Sequence, residues 1–233
     1  MSARARLGKR ITFAVGSILA FAYVFPFFLV FVNSLKGKYD ILANPLAFPK
    51  AITWDNFNQA LTKMNFFRSL TNSIIITVLS VSLLIFFSSM LAYYLARTKS
   101  KPSKYIFLIL VTSMIVPFQA LMIPFMARFA PFVSWNNRGA LIFFYIGFGT
   151  ALSTFLYHGF ISNIPTEIDE AASIDGASDL RAFWAIIFPM MRPITATVAI
   201  INSLWIWNDF LLPRLVLDEA SQTLPLSTYR FYG

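Results

Sequence analysis

Ten carboxylates serve a chain of 233 residues. Five of them, Glu167, Asp169, Glu170, Asp175 and Asp179, fall in one stretch, EIDEAASIDGASD. A reaction centre in a membrane would need clustered His, Asp or Glu at helix depth, or a nucleophile beside a base. The flanking apolar sequence supplies neither, and no cysteine is present. The single histidine, His158, has no second ligand near it in sequence, which argues against a metal or proton-relay role. No G-x-x-x-x-G-K-[ST] pattern occurs, so the chain does not cradle ATP phosphates in the P-loop manner. What the acidic stretch offers is a polar, helix-patterned surface suited to docking a soluble partner. The alternative is a solvated loop whose apolar face rests on the protein's own base.

The elements that must present this surface follow from composition. The chain is 58% hydrophobic and 12% charged, with mean hydropathy +0.67. Soluble domains carry about 25% charged residues. Such a chain cannot cover itself with polar surface, so the bilayer is its expected solvent. The net charge of +9 does not point to nucleic acid, because the basic residues sit at the ends of apolar segments, as membrane topology requires. The start MSARARLGKR resembles that of a signal peptide, but no convincing small-residue cleavage site follows. It reads as a retained first span.

A helix needs about 20 mostly apolar residues to cross the hydrocarbon core. Residues 11–32, 70–96, 105–127, 140–160 and 194–212 meet that length. Arg4, Arg6, Lys9 and Arg10 precede the first span, and Arg97, Lys99, Lys101 and Lys104 lie between the second and third. Both sets fall on one side, the cytoplasmic side by the positive-inside bias. The N-terminus and the loop 161–193 are then cytoplasmic, and residues 36–63 and 128–138 are outside. Five spans leave the tail LPLSTYRFYG outside and exposed, which points to a missing sixth span. Residues 1–233 read as a single transmembrane domain without internal repeats.

Within the loop, Pro165 and Thr166 fit a helix start, and Thr166 with Asp169 has the spacing of a capping box. Glu167, Asp169 and Glu170 crowd the first turns, where the helix dipole favours negative charge. Ile164, Ile168, Ala171 and Ala172 give one small apolar face. Gly176 is placed to end the helix in the left-handed conformation, and Ser178 to cap a second helix. Leu180, Phe183, Trp184 and Ile187 form a bulky stripe there. Pro189 and Pro193 break that helix and restart the chain as the last span. Alanines on a short exposed helix would permit close approach by a groove in another protein. The glycine corner would pass rigid-body movement into the span beginning near Ile194.

The order Glu170-Ala171-Ala172, three residues, Gly176, nine residues, then Ile186 and Pro189 resembles the EAA loop of bacterial ABC importer permeases. Phe188 stands where leucine is usual. The surrounding PTEIDEAASIDGAS, the NPLAFP and TWDNF segments and the late WNDFLLP resemble the carbohydrate-uptake branch, the maltose-type second permeases (MalG-like). The resemblance implies an all-α, polytopic transmembrane helix bundle of the MetI-like permease type, normally with six spans. It implies a multi-pass protein of the bacterial cytoplasmic (inner) membrane and a transport subunit rather than an enzyme. ATP would be bound by a cytoplasmic ABC ATPase dimer and no cofactor by this chain. A second permease subunit, a different chain, and an extracellular or periplasmic solute-binding protein would complete the assembly. The helix over residues 166–178 would seat in the ATPase, with Glu167, Glu170, Ala171, Ala172, Asp175, Gly176 and Ala177 as the coupling residues.

Asp209, preceded by Trp205, Trp207 and Asn208, is the one carboxylate within the later spans. An ionisable residue at membrane depth is a functional candidate, and indoles beside amide and carboxylate groups suit a sugar's apolar faces and polar edges. Equally, Asp209 lies near the outer boundary, where tryptophans form the interfacial belt, and can bond neighbouring backbone. Pro117 and Pro124 should bend the third span. Asn72, Ser73, Ser80, Ser82, Ser88 and Ser89 can hydrogen-bond between helices. A self-contained secondary transporter for a small solute is the competing class, but it would want paired carboxylates or broken helices at the midplane, often in repeated halves.

Overall fold

The computed structural model describes residues 3–135 and 137–232. The side chains of Arg4 and Arg6, part of the basic N-terminal set, and the terminal Gly233 lie outside the described residues. All regular structure among the described residues is helical. The chain forms two compact units, one up to Phe66 and one from Phe67.

The first unit holds α1 (Ala3–Ser34), α2 (Lys38–Ala43) and α3 (Asp55–Lys63). From Gly8 to Ser34, α1 is long and apolar enough to cross a membrane. Beyond it the chain wraps around the buried Lys36, whose ammonium donates to Asn33 Oδ1 at 2.9 Å and to the carbonyls of Asn44 and Pro45 at 3.3 and 3.4 Å. Asn56 Nδ2 donates to the carbonyls of Ser34 and Lys36 at 2.9 and 2.7 Å, meeting acceptors at the end of α1.

The second unit is built on α4 (Phe66–Arg97), α7 (Asn137–Ile161) and α11 (Arg192–Asn208). On α4 the large side chains Ile74, Ile75, Val78, Leu79, Phe86 and Phe87 are exposed, whereas Ser73, Thr77, Ser80, Ser88 and Ser89 are buried. That inversion suits a bilayer: lipid tails are as apolar as leucine, so close packing of small residues drives helix association instead. Gly149 shows the closeness. A Cβ there would lie 2.7 and 2.9 Å from the Leu84 methyls and 3.1 Å from Asn202 Oδ1. Asn202 Nδ2 donates to Ser153 Oγ at 3.0 Å, joining α11 to α7.

Two apolar clusters lie at opposite ends of these helices. One joins Ile76 and Leu84, Leu141 and Tyr145, and Ile206; the other joins Ala92, Tyr157 and Ile161, and Val198. The early part of α4 and of α7 therefore meets the late part of α11, so α4 and α7 run parallel and α11 runs against them.

The third expected span is broken. α5 (Lys101–Ser113) and α6 (Phe118–Trp135) meet at 106°. The break falls just before Pro117, which has no N–H to donate and pushes Val116 out of helical geometry. Pro124 lies inside α6 and does not interrupt it. The last expected span is also shorter than the apolar run: α11 stops at Asn208, and α12 (Leu211–Val216) follows. The tail forms α13 (Leu224–Tyr232) rather than an exposed extension. Its Leu226 is fully buried, and Leu224 N–H donates to Ser73 Oγ at 2.8 Å. The polar groups of α4 divide accordingly. Asn72 Nδ2 donates to the Gln222 carbonyl at 3.0 Å, Ser89 bonds within its own helix, and Ser82 is exposed.

Candidate functional site

The acidic stretch becomes α8 (Glu167–Ile174), a corner at Gly176, then α9 (Asp179–Ala182) continuing through a π turn (Phe183–Ile187) into α10 (Phe188–Met190). The first helix is shorter than the expected 166–178. It ends at Asp175, and Gly176 takes φ +78°. Gly176 N–H donates to Ser173 O at 3.0 Å and Ala177 N–H to Ala172 O at 2.9 Å, which reverses the chain. Nothing lies within 4 Å of a Cβ built at Gly176. The backbone angle, not lack of space, therefore calls for glycine. Ser178 Oγ accepts from Arg181 N–H at 3.4 Å and caps α9 as its position in the sequence predicts.

The helix start differs from expectation. Thr166 has helical angles and makes no side-chain cap, and Asp169 is drawn elsewhere. Tyr93 Oη donates to Asp169 Oδ1 at 2.5 Å, and Arg97 Nη2 stands 2.8 Å from Asp169 Oδ2. A charge-assisted bond plus an ion pair outweighs one bond to a backbone amide. Arg97 Nη1 also donates to Ile164 O at 3.1 Å and to Ile161 O, the end of α7, at 3.4 Å. Arg97 reads in sequence only as one more topology-setting charge, and Tyr93 carries no signal there at all.

α8 has two faces. Glu167, Glu170, Ala171, Asp175 and Gly176 are exposed, and Ile174 is 87% exposed. Ala177 is half-buried. Ala172 is 4% exposed and turned into the protein. The alanine pair is therefore split: Ala171 is open to a partner, while Ala172 is buried within the chain itself. On the second helix Phe183 and Ile187 are buried in the cluster beneath the loop, and Leu180 stays exposed. An open groove of about 630 Å³ runs between α8, the end of α4 and α9, edged by Tyr94, Lys99, Glu170, Asp179 and Leu180. A 78° bend at Met191 separates the loop helix from α11, with Pro193 in the first turn of α11. Pro189 follows the π turn, whose wider coil leaves room for a proline ring that would otherwise press on the carbonyl of Ala185.

At the other end of α11, Asp209 is committed to structure. Its Oδ1 accepts from Leu211 N–H and its Oδ2 from Tyr145 Oη, each at 3.0 Å. It closes α11 and opens α12. Trp205 meets Tyr145 edge-on at 5.4 Å, so Tyr145 joins the indole to the carboxylate. Trp207 is half-buried, and Asn208 Nδ2 turns back to Leu204 O at 2.7 Å. Trp205 and Asp209 of this quartet thus share Tyr145 as a neighbour. His158 stacks on Phe107 at 4.1 Å, and no group of metal-ligating side chains occurs among the described residues.

A multi-pass helical membrane protein with a helix–glycine–helix loop at one end of its bundle is the class the fold and loop define. Residues 85–232 match the family described as binding-protein-dependent transport system inner membrane component. The chain is similar to the "Probable starch degradation products transport system permease protein AmyC" of Thermoanaerobacterium thermosulfurigenes, 43% identical over 220 residues that cover 94% of this chain and 80% of AmyC. It is 38% identical over 235 residues to the "Melibiose/raffinose/stachyose import permease protein MelC" of Bacillus subtilis (strain 168), covering 100% of this chain and 85% of MelC. A solved structure, "Crystal structure of a bacterial ABC transporter involved in the import of the acidic polysaccharide alginate", shares the fold with TM-score 0.82 at 24% identity, over 98% of this chain and 80% of that one. The chain belongs to the family of binding-protein-dependent transport system inner membrane components. It is a transport component, not an enzyme.

Proposed function

We propose that this chain is a permease subunit of an ATP-driven ABC importer for a sugar or oligosaccharide in the bacterial cytoplasmic membrane. It forms half of the translocation path, with a second, different permease forming the other half. An external solute-binding protein delivers the solute, and a cytoplasmic ATPase dimer supplies the energy. The loop 161–193 lies on the cytoplasmic side, where Glu167, Glu170, Ala171, Asp175, Gly176 and Ala177 dock the ATPase.

The observation that carries this reading is the exposed face of α8. An apolar side chain as open as Ile174, beside Ala171 and between carboxylates, is left uncovered at the loop end of the unit. The sugar assignment draws on the names of AmyC and MelC. The chain has no cysteine, so a single Ala171→Cys places one reactive thiol on that face. In the assembled complex a cysteine-directed crosslinker at residue 171 should join this chain to the ATPase. Crosslinking only to lipid or to the partner permease contradicts the docking assignment.

A further inference from the structure

The sequence directs attention to the Gly176 corner and the span after it as the route by which loop movement enters the membrane. The contacts of α8 disclose a second route. Among the described residues, both polar side-chain contacts of α8 with a spanning helix pass through Asp169, and both end on α4, at Tyr93 and Arg97. Arg97 then reaches past α8 to the carbonyls of Ile161 and Ile164. One guanidinium therefore holds the last turn of α4, the end of α7 and the first turn of α8 together.

The side chains of Arg97 and Asp169 are only 16% and 19% exposed. Salt screens such a pair far less than an exposed one. The planar fork of arginine serves carbonyl and carboxylate at once from fixed directions, which a lysine ammonium cannot do. Arg97 Nε is buried without an acceptor, and Nη2 holds Asp169 Oδ2 as an ion pair rather than as an aligned hydrogen bond. The Tyr93 ring is wedged against Phe183 of the second loop helix at 5.1 Å. The clamp therefore also touches the segment that leads to α11.

We infer that Tyr93, Arg97 and Asp169 form a transmission clamp that carries displacement of α8 into the parallel pair α4 and α7. Arg97 and Tyr93 are positioning residues, since the exposed face of α8 lies on other residues. The inference rests on the docking role proposed for α8. An apolar seat alone would let α8 slide when pushed; the clamp makes the helix and both span ends move as one body. Its failure would appear as ATP hydrolysis that no longer drives uptake, not as loss of the complex.

The test uses the complete importer in proteoliposomes and reads solute transported per ATP hydrolysed. Asp169→Asn keeps shape and removes charge, Tyr93→Phe removes one hydroxyl, and Arg97→Ala and Arg97→Lys grade the fork. Asp169→Asn and Arg97→Ala should each lower the ratio about fivefold, the low end of coupling between linked sites. Arg97→Lys should restore part of it. The double variant Asp169→Asn/Arg97→Ala should be no worse than Arg97→Ala alone, because the ion pair that Asp169→Asn removes is already lost there. A tie that only stabilised the fold would lower both rates together and leave the ratio at the wild-type value; that result overturns the clamp. Losses that multiply in the double variant also overturn it. Should Arg97→Ala fail to assemble, Asp169→Asn and Tyr93→Phe carry the same test. A wild-type complex whose ATPase ignores every solute would instead refute the importer reading itself.

Discussion

Replacing Gly176 isolates what the corner contributes. Its φ of +78° lies in the left-handed region, and a Cβ there meets nothing within 4 Å. Gly176→Ala therefore adds no clash, only backbone strain. That strain is about 1–2 kcal/mol for an ordinary L-residue, and it shifts the closed-to-open balance of the corner by about 5- to 30-fold. Hydrogen exchange at Ala177 reports on it directly, because that amide is held by Ala172 O at 2.9 Å. Its protection should fall by the same factor. Gly176→Asn should fall less, since asparagine tolerates the left-handed region. Gly176→Pro is more severe: the ring fixes φ near −65° and removes the donor to Ser173 O, a loss of about 3 kcal/mol or more. Uptake should stop while the chain still inserts and is recovered in the membrane. Wild-type protection of Ala177 in the alanine variant, or normal uptake by the proline variant, would show that the left-handed corner at Gly176 is not required.

The two alanines should behave differently. Ala172→Arg forces a charge into a buried seat and should reduce the yield of folded protein, whereas Ala171→Arg should fold normally and lower ATPase co-purification; the reverse pattern contradicts the two-faced helix. Gly149→Ala overpacks the contact with Leu84 and Asn202 and should cost about 1–3 kcal/mol, read as a lower thermal midpoint in detergent. An unchanged midpoint would mean that α4, α7 and α11 are not packed as closely as described. Asp209→Ala removes the acceptor of Leu211 N–H and of the Tyr145 hydroxyl and should cost about 1–2 kcal/mol. Asp209→Asn should cost less, and neither should change which solute is transported. A changed solute preference would return Asp209 to the substrate path.

Local signals read well in this chain because their causes are local. The Gly176 corner, the Ser178 cap and the breaks near Pro117 and Pro193 each follow from one residue's own backbone chemistry. The capping box at Thr166 does not form for a reason no local pattern contains: Asp169 has partners at Tyr93 and Arg97, more than seventy residues earlier. Ala171 and Ala172 are indistinguishable as residue types, and only the seat beneath α8 separates them. The span 194–212 reads as continuous because hydropathy does not register that Asp209 closes one helix and opens the next. The C-terminal segment reads as a tail because its partners, Asn72 and Ser73, stand on a helix some 150 residues away.

The central claim is that ATP hydrolysis on another subunit drives sugar through this chain. Its most direct measurement is ATP hydrolysis by proteoliposomes holding the full-length chain, its partner permease, its ATPase and its binding protein, titrated across mono- and oligosaccharides. One sugar class should stimulate hydrolysis, and labelled sugar of that class should accumulate in step. An intact complex that hydrolyses ATP at the same rate with and without every sugar, and accumulates none, would contradict the claim.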